Sequence, residues 1–166
     1  TCPCPVIASV EGGAAGAGAA IALACDMIFA SKTAFLASSY VKIGLTPDAG
    51  TTVFLNAGVP RWLAAELLFT GDKIPATRLY ELGVVNHLAE EGRALEAAMA
   101  MATRLEAGPA GAIMRAKNLL SGATSNSFDE QLEAEADNLA QALGGAEAKE
   151  GITAFIERRP PTFPEE

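Results

Sequence analysis

The 166 residues are half hydrophobic, enough for one domain with a real core and incompatible with a disordered chain. Twenty acidic against 12 basic residues give a net charge of −8, the wrong sign for a nucleic-acid or anionic-membrane partner, while a small anionic ligand held by local contacts stays possible. The three cysteines, Cys2, Cys4 and Cys25, are too few and too irregularly spaced for a disulfide framework or a zinc site; a reducing cytoplasm and no metal are expected.

The chain opens on Thr1 rather than Met and runs directly into an apolar segment, so an upstream portion is expected to be missing. No apolar run approaches the ~20 residues of a membrane span, and no signal peptide is expected. "PVIASV" (Pro5 to Val10), β-branched and bounded by Pro and Gly, predicts a buried strand. A glycine-rich loop follows, and "AGAAIALAC" (Ala17 to Cys25) predicts a short helix, apolar all round and therefore buried. "MIFAS" and "AFLAS" predict two more short strands, with Lys32 as a solvated turn residue between them.

From Ala49 the texture changes to helix-length segments punctuated by Gly and Pro: "AGTTVFLNAG", "PRWLAAELLFTG" and "PATRLYELG". Trp62 in the second is expected in the helix-packing core. "VVNHLA" (Val84 to Ala89) is a last strand candidate, and His87 within it is expected to be structural or at the surface. After Glu91 four amphipathic helices are expected, with Leu95, Ala98, Met99, Ala102 and Leu105 forming one apolar stripe. The reading divides the chain into a core at 1–90 and a helical region at 91–166.

Two stretches invite a functional reading. The strand, Gly16-Ala17-Gly18 and helix resemble a dinucleotide cradle, but the third glycine position of G-x-G-x-x-G is Ile21 and no acid closes the next strand. Small residues at a helix N-terminus also expose backbone amides to an oxyanion, or serve simply for close packing. Asp48 in "IGLTPDAGTT" is either a helix N-cap for the amides of Gly50 or Thr51, or a functional acid. Cys25, with no base at catalytic spacing, reads as a small buried hydrophobe, and Glu11 has no assigned role.

"PVIASVEGGAAGAGAAIALACDMIFAS", "KIGLTPDAGTTVFL", "AAELLFTGDKIPATRLYELGVVNHL" and "EGITAFIERRPPTF" together resemble the enoyl-CoA hydratase/isomerase family, the crotonase superfamily. The resemblance implies an α/β crotonase-like spiral of β-β-α units, here its C-terminal part with the N-terminal third absent, followed by a helical oligomerisation region. It puts a backbone oxyanion donor on Ala17, flanked by Gly16 and Gly18. Ala20 and Tyr40 stand where the hydratases carry their two glutamates, which argues against an ordinary hydratase. Asp48 in "PDAG" matches the functional aspartate of the ring-modifying epoxyphenylacetyl-CoA isomerases and aryl-CoA dehalogenases. Tyr40 would be a pocket wall beside it, and Phe155, Arg158 and Arg159 would approach the adenine and phosphates of CoA.

The expected activity is thus that of an acyl-CoA isomerase moving a proton on an enolate-stabilised thioester. A catalytically degenerate CoA-binding or assembly protein and a dehalogenase-like enzyme are the alternatives. Coenzyme A enters as part of the substrate with no further cofactor, and a cytoplasmic homotrimer, or a hexamer built as a dimer of trimers, is implied.

Overall fold

The computed structural model describes residues 2–164. They form two compact units, one spanning Val6–Ala100 and one joining residues 2–5 to residues 101–164.

In the first unit the strands belong to two sheets. β1 (Ile7–Val10), β3 (Met27–Ser31) and β6 (His87–Ala89) make a parallel sheet in the order β1-β3-β6. β2 (Gly13–Ala15), β4 (Phe35–Ala37) and β5 (Lys73–Pro75) make the second, with β2 and β4 parallel and β5 antiparallel to β4. β1 and β3 are each followed by a strand of the second sheet, β2 and β4, and helix α1 (Ala17–Leu23) carries the chain from β2 back to β3. This is the crotonase-like spiral, and the expected α/β class holds.

β3 is central and reads as a near-continuous apolar run because both of its faces are covered: Ile28, Phe29, Ala30 and Ser31 are all buried. Asn86 extends the ladder beside it, accepting from the Ile28 amide at 2.7 Å through Oδ1 and donating its own amide to the Ile28 carbonyl at 2.8 Å. The core between the sheets and α1, α2 (Thr51–Gly58), α3 (Arg61–Thr70) and α4 (Ala76–Glu81) is built from Val10, Ala19, Ile28, Leu36, Leu55, Leu67, Leu79 and their neighbours.

The structure corrects several expectations. The glycine stretch is not all loop: Gly13–Ala15 is β2, paired Gly13 to Phe35, and a Cβ at Gly13 would lie 2.4 Å from the Phe35 ring, so glycine is what lets the ring lie across the strand. β5 also went unread, being only three residues long with one buried side chain. α1 is not buried all round; Ala19, Ala20 and Ala22 are buried while Ile21 is 66% exposed. Trp62 is outside the packing core, 84% exposed on α3, where Ala64 and Leu67 take the inward positions. Cys25 is half-buried rather than buried, its thiol 3.3 Å from the Ile21 carbonyl.

The second unit is helical. α5 (Ala94–Glu106) leads into it, followed by α6 (Ala110–Gly122), α7 (Phe128–Leu143) and α8 (Ala146–Glu157), at the four expected positions. α7 starts on a capping box in which Ser127 and Glu130 satisfy each other's amides. The first turn of α6 is closed by Glu147, whose carboxylate accepts from the amides of Gly111 and Ala112 at 2.8 and 3.0 Å. Among the described residues no helix is long and apolar enough to cross a membrane, and no group of His, Cys, Asp or Glu is arranged to hold a metal ion.

Candidate active site

Three of the residues singled out in the sequence meet at the N-terminus of α1. Gly16 precedes the helix at φ +53° and ψ −126°, a backbone conformation that a side chain disfavours. Its amide is used by the Ala37 carbonyl at 3.0 Å. Ala17 and Gly18 form the first turn, where a helix offers no acceptor for its own amides. A Cβ on Gly16 would stand 3.8 Å from the Tyr40 ring, so the phenol lies directly against this turn. Ala20, one turn on, is wholly buried.

Tyr40 sits on a 3-10 helix (Ser39–Ile43) that follows β4, and the residue is 9% exposed. Its hydroxyl donates to Asp48 Oδ1 at 2.5 Å, the length of a charge-assisted O–H···O⁻ bond. The bond stabilises the neutral phenol, and with burial it holds the Tyr40 pKa above the usual tyrosine range; the Thr51 hydroxyl beside it acts in the opposite direction.

Asp48 is not the cap of α2. The N-cap position is Gly50, at φ +80°, and no side chain caps the helix. What Asp48 contributes to the helix start is its main-chain carbonyl, which accepts from the Thr51 amide at 3.0 Å and from Thr51 Oγ1 at 2.7 Å. Between the two residues, Ala49 and Gly50 are both left-handed, Ala49 at φ +49°. A left-handed alanine costs roughly 1–2 kcal/mol. The turn thus presents the Asp48 side chain to Tyr40 and solvent instead of folding it over the helix.

Sequence reasoning missed two residues here. Thr51 is 1% exposed, and the available signal was helical spacing: Thr51, Leu55 and Val59 recur every four residues and all face inward. Glu11, left without a role, begins the first turn of α5, accepting from the Gly92 amide at 2.9 Å and the Ala94 amide at 2.5 Å. No local pattern announces a partner more than eighty residues away. His87 is exposed on β6, its ring 5.3 Å from that of Phe29. Lys32 is exposed, as expected, and paired with Glu90.

Phe155, Arg158 and Arg159 belong to the helical unit. Phe155 is 84% exposed on α8, and Arg158 ends that helix in a left-handed conformation at φ +54°. Arg159 is held by Glu150 through two nitrogens, at 2.6 and 3.0 Å, and by Glu157 at 2.7 Å. The guanidinium lowers the Glu150 pKa to about 2, assisted by the Thr162 amide.

The match of known proteins to this arrangement is extensive. The family model described as enoyl-CoA hydratase/isomerase covers residues 1–166. The chain belongs to the enoyl-CoA hydratase/isomerase family. It is 35% identical to a probable enoyl-CoA hydratase of Rhodobacter capsulatus over 98% of this chain and 63% of that protein. It is 33% identical to the 1,2-epoxyphenylacetyl-CoA isomerase of Escherichia coli strain K12, over 97% of this chain and 62% of the relative. A crystal structure of an enoyl-CoA hydratase from Polaromonas sp. JS666 superposes with a TM-score of 0.95 at 44% identity, covering 98% of this chain and 63% of that one. The chain therefore spans a little under two thirds of the length of these family members.

Proposed function

We propose that this chain carries the acid–base half of an acyl-CoA isomerase site, with Asp48 as the group that moves the proton. The observation that carries the reading is that the Asp48 carboxylate accepts from the hydroxyl of Tyr40, whose ring lies against Gly16, and takes no part in capping α2. The positions resembling the hydratase glutamates are a buried alanine and that same tyrosine, so the pair of carboxylates needed to orient and split water has no counterpart here. The isomerase named among the relatives supports the choice, while others are named hydratases.

In this reading the thioester oxygen of a 3-enoyl-CoA lies at the Ala17 amide. Asp48 takes a proton from C2, the negative charge passes to the thioester oxygen, and the backbone donor stabilises the resulting dienolate. The same carboxyl returns the proton to C4, giving the 2-enoyl-CoA with no net gain or loss of atoms. Tyr40 occupies Oδ1 and leaves Oδ2 for the substrate. Phe155 and Arg158 are the exposed groups suited to the adenosine end of CoA, whereas Arg159 would have to leave Glu150 and Glu157 to reach a phosphate. A cytoplasmic trimer, or a dimer of trimers, completes the proposal.

Asp48→Asn tests it. The amide oxygen can still accept from Tyr40, so the fold should survive, but an amide cannot carry the proton. Turnover of 3-hexenoyl-CoA should fall by at least about a hundredfold, the low end for loss of a general acid or base, with ligand binding retained. Undiminished turnover in the folded variant would refute the assignment.

A further inference from the structure

We infer that Thr51 is a positioning residue for Asp48: its buried hydroxyl pins the Asp48 main chain in the left-handed turn and so aims the carboxylate. The inference rests on Asp48 being the proton-transfer group proposed above. Thr51 is the first residue of α2 and only 1% exposed, so its hydroxyl cannot turn to water and its hydrogen bond is a fixed feature of the site.

That hydroxyl is 2.7 Å from the Asp48 carbonyl oxygen, which also accepts the Thr51 amide at 3.0 Å. Two donors from one residue converge on one acceptor, and the chain between them contains the strained Ala49. Strain of this kind persists only where its surroundings over-determine it. The amide alone closes the turn, as at any helix start; the hydroxyl adds a second, differently directed restraint on the peptide plane that follows the Asp48 Cα.

The Tyr40 phenol restrains the other end of Asp48, at Oδ1. Asp48 is therefore clamped at its main-chain carbonyl and at its carboxylate, and the Thr51 hydroxyl also lies beside the Tyr40 phenol. A shift of the peptide plane moves the carboxylate relative to the Ala17 turn without removing either group, which damages proton transfer but not binding.

The test is a mutant cycle in the intact protein, with 3-hexenoyl-CoA as the probe. Thr51→Val keeps the shape and the amide bond and deletes the hydroxyl, so the thermal transition should be retained. It should lower kcat by about tenfold or more with KM little changed, the effect of a small misplacement of a reacting group. Thr51→Ser, which restores the hydroxyl, should recover most of the rate; Thr51→Ala serves in place of Val if the Val variant does not fold. In an Asp48→Asn background Thr51→Val should cause no further loss, because the group it aims is gone.

A folded Thr51→Val variant with parental kcat, failure of Ser to rescue, or a full further loss in the Asn background would each overturn the positioning role. If Asp48→Asn falls as expected while Thr51→Val does not, this inference alone fails. If Asp48→Asn itself keeps full turnover, the base assignment fails and takes the inference with it.

Discussion

A tyrosine hydroxyl that donates to a carboxylate loses that bond when it ionises, so the bond between Tyr40 and Asp48 should be visible in the alkaline titration of the phenol. The chain has two tyrosines, and Tyr40→Phe identifies which phenolate signal belongs to Tyr40. Its midpoint should lie above a tyrosine's usual ~10, and Asp48→Asn should bring it down, because the bond to Asp48 is the largest cause of the shift and burial comes second. Since the folded-state pKa is raised, the stability from this bond is fully present below about 10 and is lost as pH climbs through the raised value. A Tyr40 midpoint at or below ~10 in the parent would contradict the geometry. Asp48 also shows how far the sequence was legible at this scale. An acid between Pro and "AGTT" fits a helix cap, and only the pair of left-handed residues after it, a backbone property that Ala49 does not advertise, turns the side chain away from the helix.

At the scale of elements, the long or strongly patterned segments were legible: β1, β3 and α5 to α8 lie where their apolar spacing put them. The three-residue strands β2 and β5 were not, because their pairing comes from Phe35 and its neighbours across the sheet rather than from any run of their own. The start of α5 was equally hidden. Its first amides are satisfied by Glu11, which leaves β1 and reaches across the spiral. Glu11→Ala should therefore lower stability by about 1 kcal/mol or more, the usual cost of losing a side-chain cap, while Glu11→Gln should lose less because one oxygen acceptor remains. The midpoint of urea unfolding reads this directly. An unchanged midpoint for Glu11→Ala would show that the α5 terminus does not depend on the contact.

For the molecule as a whole, large apolar residues remain at the surface of its helices. Trp62 and Phe69 lie seven residues apart on α3, 84% and 78% exposed, and in the stripe expected on α5 Leu95 and Met99 are 61% and 58% exposed while Ala98 is buried. Large exposed apolar groups concentrated on helices are the kind of surface that binds a partner. The proposed trimer or dimer of trimers predicts that the intact protein sediments as three or six copies at micromolar concentration; a monomer there would contradict it. The family itself was legible in the order and spacing of its motifs, whereas the proposed reaction rests on a few side chains in one turn. In the proposed reaction this turn moves a proton and does not add water. The mass of the product made from 3-hexenoyl-CoA and from crotonyl-CoA by the intact protein decides it most directly. Proton transfer at Asp48 gives a 2-hexenoyl product with the mass of its substrate and little reaction of crotonyl-CoA; efficient conversion of crotonyl-CoA into a product heavier by one water would contradict it.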